Sequence, residues 1–253
     1  MKIRILAISI LFFLTIISVS HAAHPLITDD TGTQGAGNFQ LEANVEYNYD
    51  KEEGITIKET GIGFTLSYGI KDNIDLQISM PYQIIKETGT GSDLENEGMG
   101  DLSFDVKWRI YEKDAFSLLI KPGITLPTGD EDKGLGSGKT GYKIFLVSTF
   151  EKKPYLLHTN IGYILNKNKL DERESIWHIS AAGEYFLTEG FRVVGNIGME
   201  RNADKSSSED PAFFIAGIIY GISKNFDVDL GIKLGLNKQE TDRAFLAGIA
   251  LRF

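Results

Sequence analysis

Apolar and polar side chains alternate along most of this chain with a period of two. Leu102, Phe104, Val106, Trp108 and Ile110 interleave with Asp101, Ser103, Asp105, Lys107 and Arg109, so one face of that strand is apolar and the other charged. Phe39 to Tyr49 repeats the pattern, with Leu41, Val45 and Tyr47 opposing Gln40, Glu42, Asn44 and Glu46. Ile74 to Gln83 and Phe226 to Leu236 do so again, as does the segment ending in Phe245, Ala247, Ile249, Leu251 and Phe253. Breaking the chain at its turn residues predicts strands near 38–49, 55–69, 74–85, 99–110, 115–126, 141–151, 154–166, 175–187, 190–201, 211–222, 225–237 and 241–253. About twelve strands is an even number, as single-chain bacterial barrels require.

The connections alternate between two lengths. Short turns fall around Asp72, Asp114, Lys153, Glu189 and Lys224, and longer, polar segments fall at 86–98, 127–140, 167–174 and 202–210. Antiparallel barrels of the outer membrane have short periplasmic turns and longer outward loops. The pattern therefore predicts an all-β fold, a closed antiparallel transmembrane β-barrel of residues 38–253, with the apolar parity facing lipid.

The first residues add an address. Lys2 and Arg4 precede an apolar run from Ile5 to Val19, and Ser20-His21-Ala22 supplies small residues for cleavage, so residues 1–22 read as a signal peptide. Residues 23–37 read as a periplasmic N-terminal segment, with room to tuck into the lumen as a plug. Loss of Lys2 and Arg4 takes the formal charge from −9 to −11, which argues against nucleic acid as a partner. With no cysteine, disulfides and thiolate chemistry are excluded. Lipid-facing residues are diluted by lumenal polar ones on every strand, so the average hydrophobicity hides the membrane.

On this parity the lumen carries both signs of charge, Glu42, Glu46, Asp75, Asp105, Lys107, Arg109, Lys121, Glu184, Arg192, Asp227, Asp229, Lys233 and Arg252 among them. Salt-bridge networks across the bore and a polar conduit tuned by charged rings are both compatible with that list. Asp105, Lys107 and Arg109 are the candidate constriction, with Glu42, Asp227, Asp229 and Lys233 as further pore-lining groups. The loop 127–140, with Asp130, Glu131, Asp132, Lys133 and Lys139, is the candidate entrance.

Other motifs are weaker. Gly134-Leu135-Gly136-Ser137-Gly138-Lys139-Thr140 lacks the first glycine of a phosphate loop, where Lys133 stands, and a strand follows it rather than a helix. His178 and Ser180 could be a hydrolytic pair if Asn160 or Asn196 oriented the histidine, yet their parity turns them into the lumen. His24, Asp29 and Asp30 are three donors without a fourth, a poor metal site. Tyr47, Tyr49, Tyr82, Trp108, Tyr155, Tyr163 and Trp177 suit interfacial girdles. The sequence calls for no cofactor, metal or catalytic residue.

The run from His24 to Gly35, continuing Gly37-Asn38-Phe39-Gln40-Leu41-Glu42, resembles the opening of the barrels grouped as the MetA-pathway of phenol degradation family. Leu126-Pro127-Thr128-Gly129-Asp130 and the glycine-rich segment through Tyr142 resemble it too, although Gly141 stands where an acid is expected. The resemblance implies an outer-membrane barrel, often described as a transporter and in some cases linked to uptake of aromatic compounds. The expectation is a passive channel for a small solute, hydrophobic or aromatic. Its other partners would be outer-membrane lipid and the barrel-assembly machinery, reached through the C-terminal strand ending at Phe253. The alternatives are a structural or adhesive barrel with a plugged lumen and an outer-membrane lipid hydrolase.

Overall fold

The computed structural model describes residues 24–52, 54–89 and 93–253, so the expected signal peptide lies outside the described residues. The strands are β1 (Phe39–Glu52), β2 (Ile55–Lys71), β3 (Ile74–Thr88), β4 (Leu94–Met99), β5 (Leu102–Lys113), β6 (Phe116–Leu126), β7 (Gly141–Lys152), β8 (Tyr155–Leu165), β9 (Ser175–Thr188), β10 (Phe191–Glu200), β11 (Ala212–Ser223), β12 (Phe226–Gly235) and β13 (Arg243–Arg252). Every pairing is antiparallel, and β1 pairs with β13 from Gln40↔Arg252 to Tyr49↔Arg243, closing the sheet on itself. Closure is completed at the ends, where the Phe39 N–H donates to the Phe253 carbonyl at 2.7 Å and the Phe253 N–H donates back at 3.0 Å. β4 pairs with β3 alone, and each of the other twelve strands thus has a neighbour on either side, as a barrel in hydrocarbon requires.

β4 and β5 occupy one position in the barrel, both pairing with β3, so the closed barrel has twelve strands. The sequence pattern predicts this position as one strand within 99–110 and reads 86–98 as an outward loop. In the structure, much of that loop is a hairpin extension of β3 through β4. The interruption falls at Gly98, Gly100 and Asp101. Gly98 takes a φ of 156°, and a Cβ on Gly100 would sit 2.9 Å from Pro81, so neither position accommodates an ordinary ladder residue.

The apolar parity faces outward on most strands. Leu41, Phe64, Leu76, Trp108, Leu146, Ile161, Ile197, Leu230 and Phe245 project outward and are exposed, while Asp75, Asp105, Lys107, Glu184, Arg192, Asp227 and Asp229 point inward and are buried. Aromatic pairs gather at the short-turn rim: Phe39 with Phe253, Tyr155 with Tyr185, Phe191 with Tyr220. That is the form of an interfacial girdle. Irregularities in register lie toward the same rim, at Gly69/Lys71, Arg109/Tyr111, Phe191/Arg192 and Gly221/Ser223, where bulges re-aim strands without disturbing the span. Among the described residues, no helix is long and apolar enough to cross a membrane.

Candidate functional site: a peptide inside the bore

The barrel interior contains the chain's own N-terminal segment. It enters at the short-turn rim, where the Gly37 N–H donates to the Gly69 carbonyl and the Ala36 N–H to Asp72 Oδ1, and it runs inward to His24. Of the two placements the sequence leaves open for 23–37, residues 24–37 thus take the one inside the lumen.

The segment has no sequence periodicity, and it takes its shape from the wall. Asn196 Oδ1 accepts from the N–H groups of Ile27 and Thr28, at 2.7 and 3.0 Å, and Asn196 Nδ2 donates to Thr28 Oγ1. Thr28 Oγ1 in turn donates to Ser180 Oγ at 2.7 Å. The Thr31 N–H donates to Thr149 Oγ1, and its hydroxyl meets Ser117 Oγ. Asn160, with its amide turned to satisfy both partners, accepts from the Asp29 N–H and donates to the Asp29 carbonyl. These contacts satisfy backbone groups that could not otherwise be buried.

Packing matches the hydrogen bonding. Leu26 seats among Ala182, Val194 and Ile219 of the wall. Pro25 lies over the paired glycines Gly217 and Gly231, where an added Cβ would come within 2.7 and 2.8 Å of its ring. Side chains on those two glycines would collide with the segment.

Charge fixes the centre of the segment. Asp29 Oδ1 is 2.9 Å from Lys107 Nζ and Asp29 Oδ2 is 2.7 Å from Lys121 Nζ, so one carboxylate bridges two ammoniums on β5 and β6. Asp30 stands 3.5 Å from Lys107. His24 Nδ1 reaches Asp229 Oδ1 at 2.5 Å. Hence His24 goes to Asp229 while Asp29 and Asp30 share Lys107, and among the described residues no group of acids and histidines is placed to hold a metal ion.

Asp75 accepts from the plug's Gln34 N–H, and most of the remaining lumenal charges pair within the wall. Arg192 bridges Glu184 and Asp227, Arg252 joins Asp227 to Gln40, and His158 lies between Thr149 and Glu184, forming a belt near the short-turn rim. Lys233 pairs with Glu46 and Glu240, and Lys143 with Asp105. The sequence-based constriction therefore divides: Lys107 holds the plug, Asp105 pairs with Lys143, and Arg109 binds Glu112 and the Asp72 carbonyl at the rim. Glu42 lies half-buried on the lumenal parity.

Sequence reasoning did not anticipate the apolar part of the lumen. Phe213, Ile215 and Leu246 form a buried inward-facing cluster, and the Phe145 ring packs against His178 with centroids 5.6 Å apart. The strand register puts Phe145 opposite Lys121, on the same lumenal face.

His178 and Ser180 do contact each other, with Nε2 3.0 Å from Oγ, and His178 Nδ1 is 3.1 Å from Glu200 Oε2. The orienting acid is therefore Glu200, registered opposite His178 on β10, instead of Asn160 or Asn196, both of which hold the plug. Ser180 is buried beneath Thr28, and its flanking backbone is paired to β8 and β10, so the local N–H groups serve the ladder and do not form an oxyanion hole.

At the opposite end, Asp101 anchors the loop 127–140 by accepting from the N–H groups of Gly129 and Ser137 and from Ser137 Oγ. Asp130 caps a short 3-10 turn, Glu131–Lys133, that ends at left-handed Gly134, and Leu135 is buried. The glycine-rich run thus folds the loop inward around the Asp101 carboxylate. Lys169 pairs with Glu131 and Lys205 with Asp171, linking successive loops around the mouth, while Lys167 pairs with Glu174 within one loop. The hydrogen bond from each lysine holds the carboxyls of Glu131, Asp171 and Glu174 below their ordinary range.

A closed barrel, inward charges and a glycine-rich loop after Leu126 can now be set beside known proteins. Residues 27–253 match the MetA-pathway of phenol degradation family. The chain belongs to that family. No curated protein sequence matches it. Among solved structures it is similar to the NanC porin, with a TM-score of 0.59 at 9% identity over 83% of this chain and 98% of that one. It is also similar to the KdgM porin in complex with disordered oligogalacturonate, with a TM-score of 0.55 at 7% identity over 83% and 99% of the two chains. The translocator domain of the autotransporter NalP from Neisseria meningitidis gives 0.52 at 11% identity over 87% and 89%. Together these show that this chain has the fold of outer-membrane porin and autotransporter barrels.

Proposed function

We propose that this protein is an outer-membrane channel for passive uptake of a small hydrophobic or aromatic solute, and that its resting state is closed by residues 24–37. The observation that carries the reading is the way the plug is held. Residues 27–31 contact wall side chains, Asn196, Ser180, Asn160, Lys107, Lys121, Thr149 and Ser117, and are not stitched into the backbone ladder. A purely structural barrel could fill its bore with side chains of its own strands, as small barrels do. Here the filling is a separate peptide that can leave while all twelve strands stay paired.

The porin-like fold and the family's link to phenol degradation favour transport, and Phe145, Phe213, Ile215 and Leu246 provide an apolar lumenal surface for the solute's non-polar part. Passage would be diffusion down a gradient, with selectivity set by the bore's charged and apolar linings. Proteoliposome flux tests it. The purified barrel should pass small aromatic solutes faster than sugars of similar size once the plug is loosened. Vesicles that stay tight to every solute, with the plug intact or loosened, would end the transport reading.

A further inference from the structure

Two ammonium groups that converge on the two oxygens of one carboxylate form a carboxylate receptor, whichever chain supplies the carboxylate. Lys107 and Lys121 make this arrangement, and Asp29 fills it. The site is built into the wall: Lys107 is buried, and both lysines sit on paired strands instead of a loop. Asn160, on the same side, supports the backbone carrying that carboxylate.

The charge balance gives the site a function beyond holding the plug. Among the described residues, every ion pair of Lys107 and Lys121 is to Asp29 or Asp30: the nearby Asp105 belongs to Lys143, and Asp75, registered opposite Lys107, accepts from the plug's Gln34 N–H. When the plug moves out, it takes both of its acids with it and leaves two ammoniums with Asp75 as a neighbouring wall carboxylate not already in an ion pair. Removing a partner of a buried ion pair is unfavourable, so the vacated site favours a replacement anion. Phe145, registered opposite Lys121 on the same face, offers a ring beside that anion.

Resting on the channel reading above, we infer that Lys107 and Lys121 are the binding site for the carboxylate of a small aromatic acid, which Asp29 occupies as an internal surrogate in the closed state. Solute and plug then compete for one site. The incoming carboxylate takes over both lysines, its ring packs on Phe145, and the displaced segment leaves the path. No covalent step is involved. Recognition and opening become one exchange of carboxylates, so neutral solutes of the same shape do not open the channel.

Planar-bilayer recording on the full mature chain tests this with benzoate and its neutral analogue benzyl alcohol. In the wild type, benzoate should raise the open probability and benzyl alcohol should not. Asp29→Asn and Lys121→Gln both loosen the plug and should both conduct potassium chloride, but only Asp29→Asn keeps the receptor. Benzoate should therefore slow chloride current through Asp29→Asn at concentrations about tenfold lower than through Lys121→Gln, the loss of a charge-assisted contact. Phe145→Ala should weaken the response to benzoate more than to acetate. Equal responses to benzoate and benzyl alcohol, or equal block of the two variants, would overturn the receptor and leave the channel intact. Absence of conductance in wild type and both variants would instead end the channel reading. Calorimetric titration of benzoate into detergent-solubilised Asp29→Asn would then decide the receptor alone, with binding supporting it and no heat overturning it. Heat-modifiable gel mobility confirms that each variant is folded.

Discussion

Asp29 and Lys121 approach to 2.7 Å inside the barrel, joining a segment that precedes the first strand to the middle of the sixth. This contact and its companion to Lys107 make the lumen a latched compartment. The latch is strong because it is screened from water on most sides, unlike the loop pairs at the mouth.

Loss of the latch should open the bore without unfolding the barrel. Asp29→Asn removes one charge facing two ammoniums and should raise single-channel conductance by an order of magnitude or more over the wild type at neutral pH. The barrel's heat-modifiable mobility should be unchanged, because the ladder pairing does not depend on Asp29. Unchanged conductance would mean that the plug is held by its packing alone.

The floor beneath Pro25 offers a steric test. In Gly231→Ala the new methyl would lie 2.8 Å from Pro25 Cβ, too close for either atom to stay in place. The plug should shift outward, and residues 24–28 should become accessible to protease in the folded barrel. Equal protection of wild type and variant would show that the segment seats elsewhere.

Lipid-facing parity can be checked at Ile161, on the outer face of β8. Ile161→Arg should lower unfolding stability in vesicles by about 2–4 kcal/mol if the position is near the midplane, whereas Ile161→Leu should be close to neutral. A small effect of arginine would move this face away from hydrocarbon.

At the mouth, the lowered carboxyls of Glu131, Asp171 and Glu174 fix the sign of a pH response. A carboxyl whose folded value is depressed contributes stability above its unfolded value, about 3.9 for Asp and 4.3 for Glu, and loses it as pH falls through the folded value. Protection factors for hydrogen exchange, each normalised to the intrinsic rate at its pH, should therefore be the same at pH 7 and pH 5 in the loops 127–140, 166–174 and 201–211, and lower near pH 3. The strands should keep their protection at all three. Loop protection that is lost already between pH 7 and 5 would assign the ordering to other groups.

Ser180, His178 and Glu200 are connected in the order of a nucleophile, base and acid. Buried under Thr28 and lacking an oxyanion hole, Ser180 should resist labelling by a fluorophosphonate, and Ser180→Ala should not alter any phospholipid hydrolysis by the preparation. Stoichiometric labelling of Ser180 would revive the lipid hydrolase.

Strands were legible in the sequence because a barrel enforces period two on every span, and each predicted span overlaps an observed one. The exception, at 94–101, is where Gly98, Gly100 and Asp101 interrupt alternation to anchor the loop 127–140. Lumenal charges could be named from parity, but not their pairing. Asn196 meets Ile27 across 169 residues of chain, a contact with no local signature. A plug could be raised from the sequence as one placement of 23–37, but not its path: His24 to Gly37 follows no helical or strand period, and its conformation is set by a wall that only the closed barrel assembles. The apolar lumenal residues Phe145 and Phe213 could have been found by asking which aromatics fall on the polar parity.

The central claim, that residues 24–37 close the bore from within, is tested most directly by tying the plug to the wall. Thr28 Oγ1 and Ser180 Oγ are 2.7 Å apart, and the chain has no cysteine of its own. The Thr28→Cys, Ser180→Cys double variant should form a disulfide in the folded barrel. The oxidised protein should stay shut in planar bilayers, and reduction should restore opening. Failure of the pair to cross-link, or equal conductance in the oxidised and reduced states, would contradict the account.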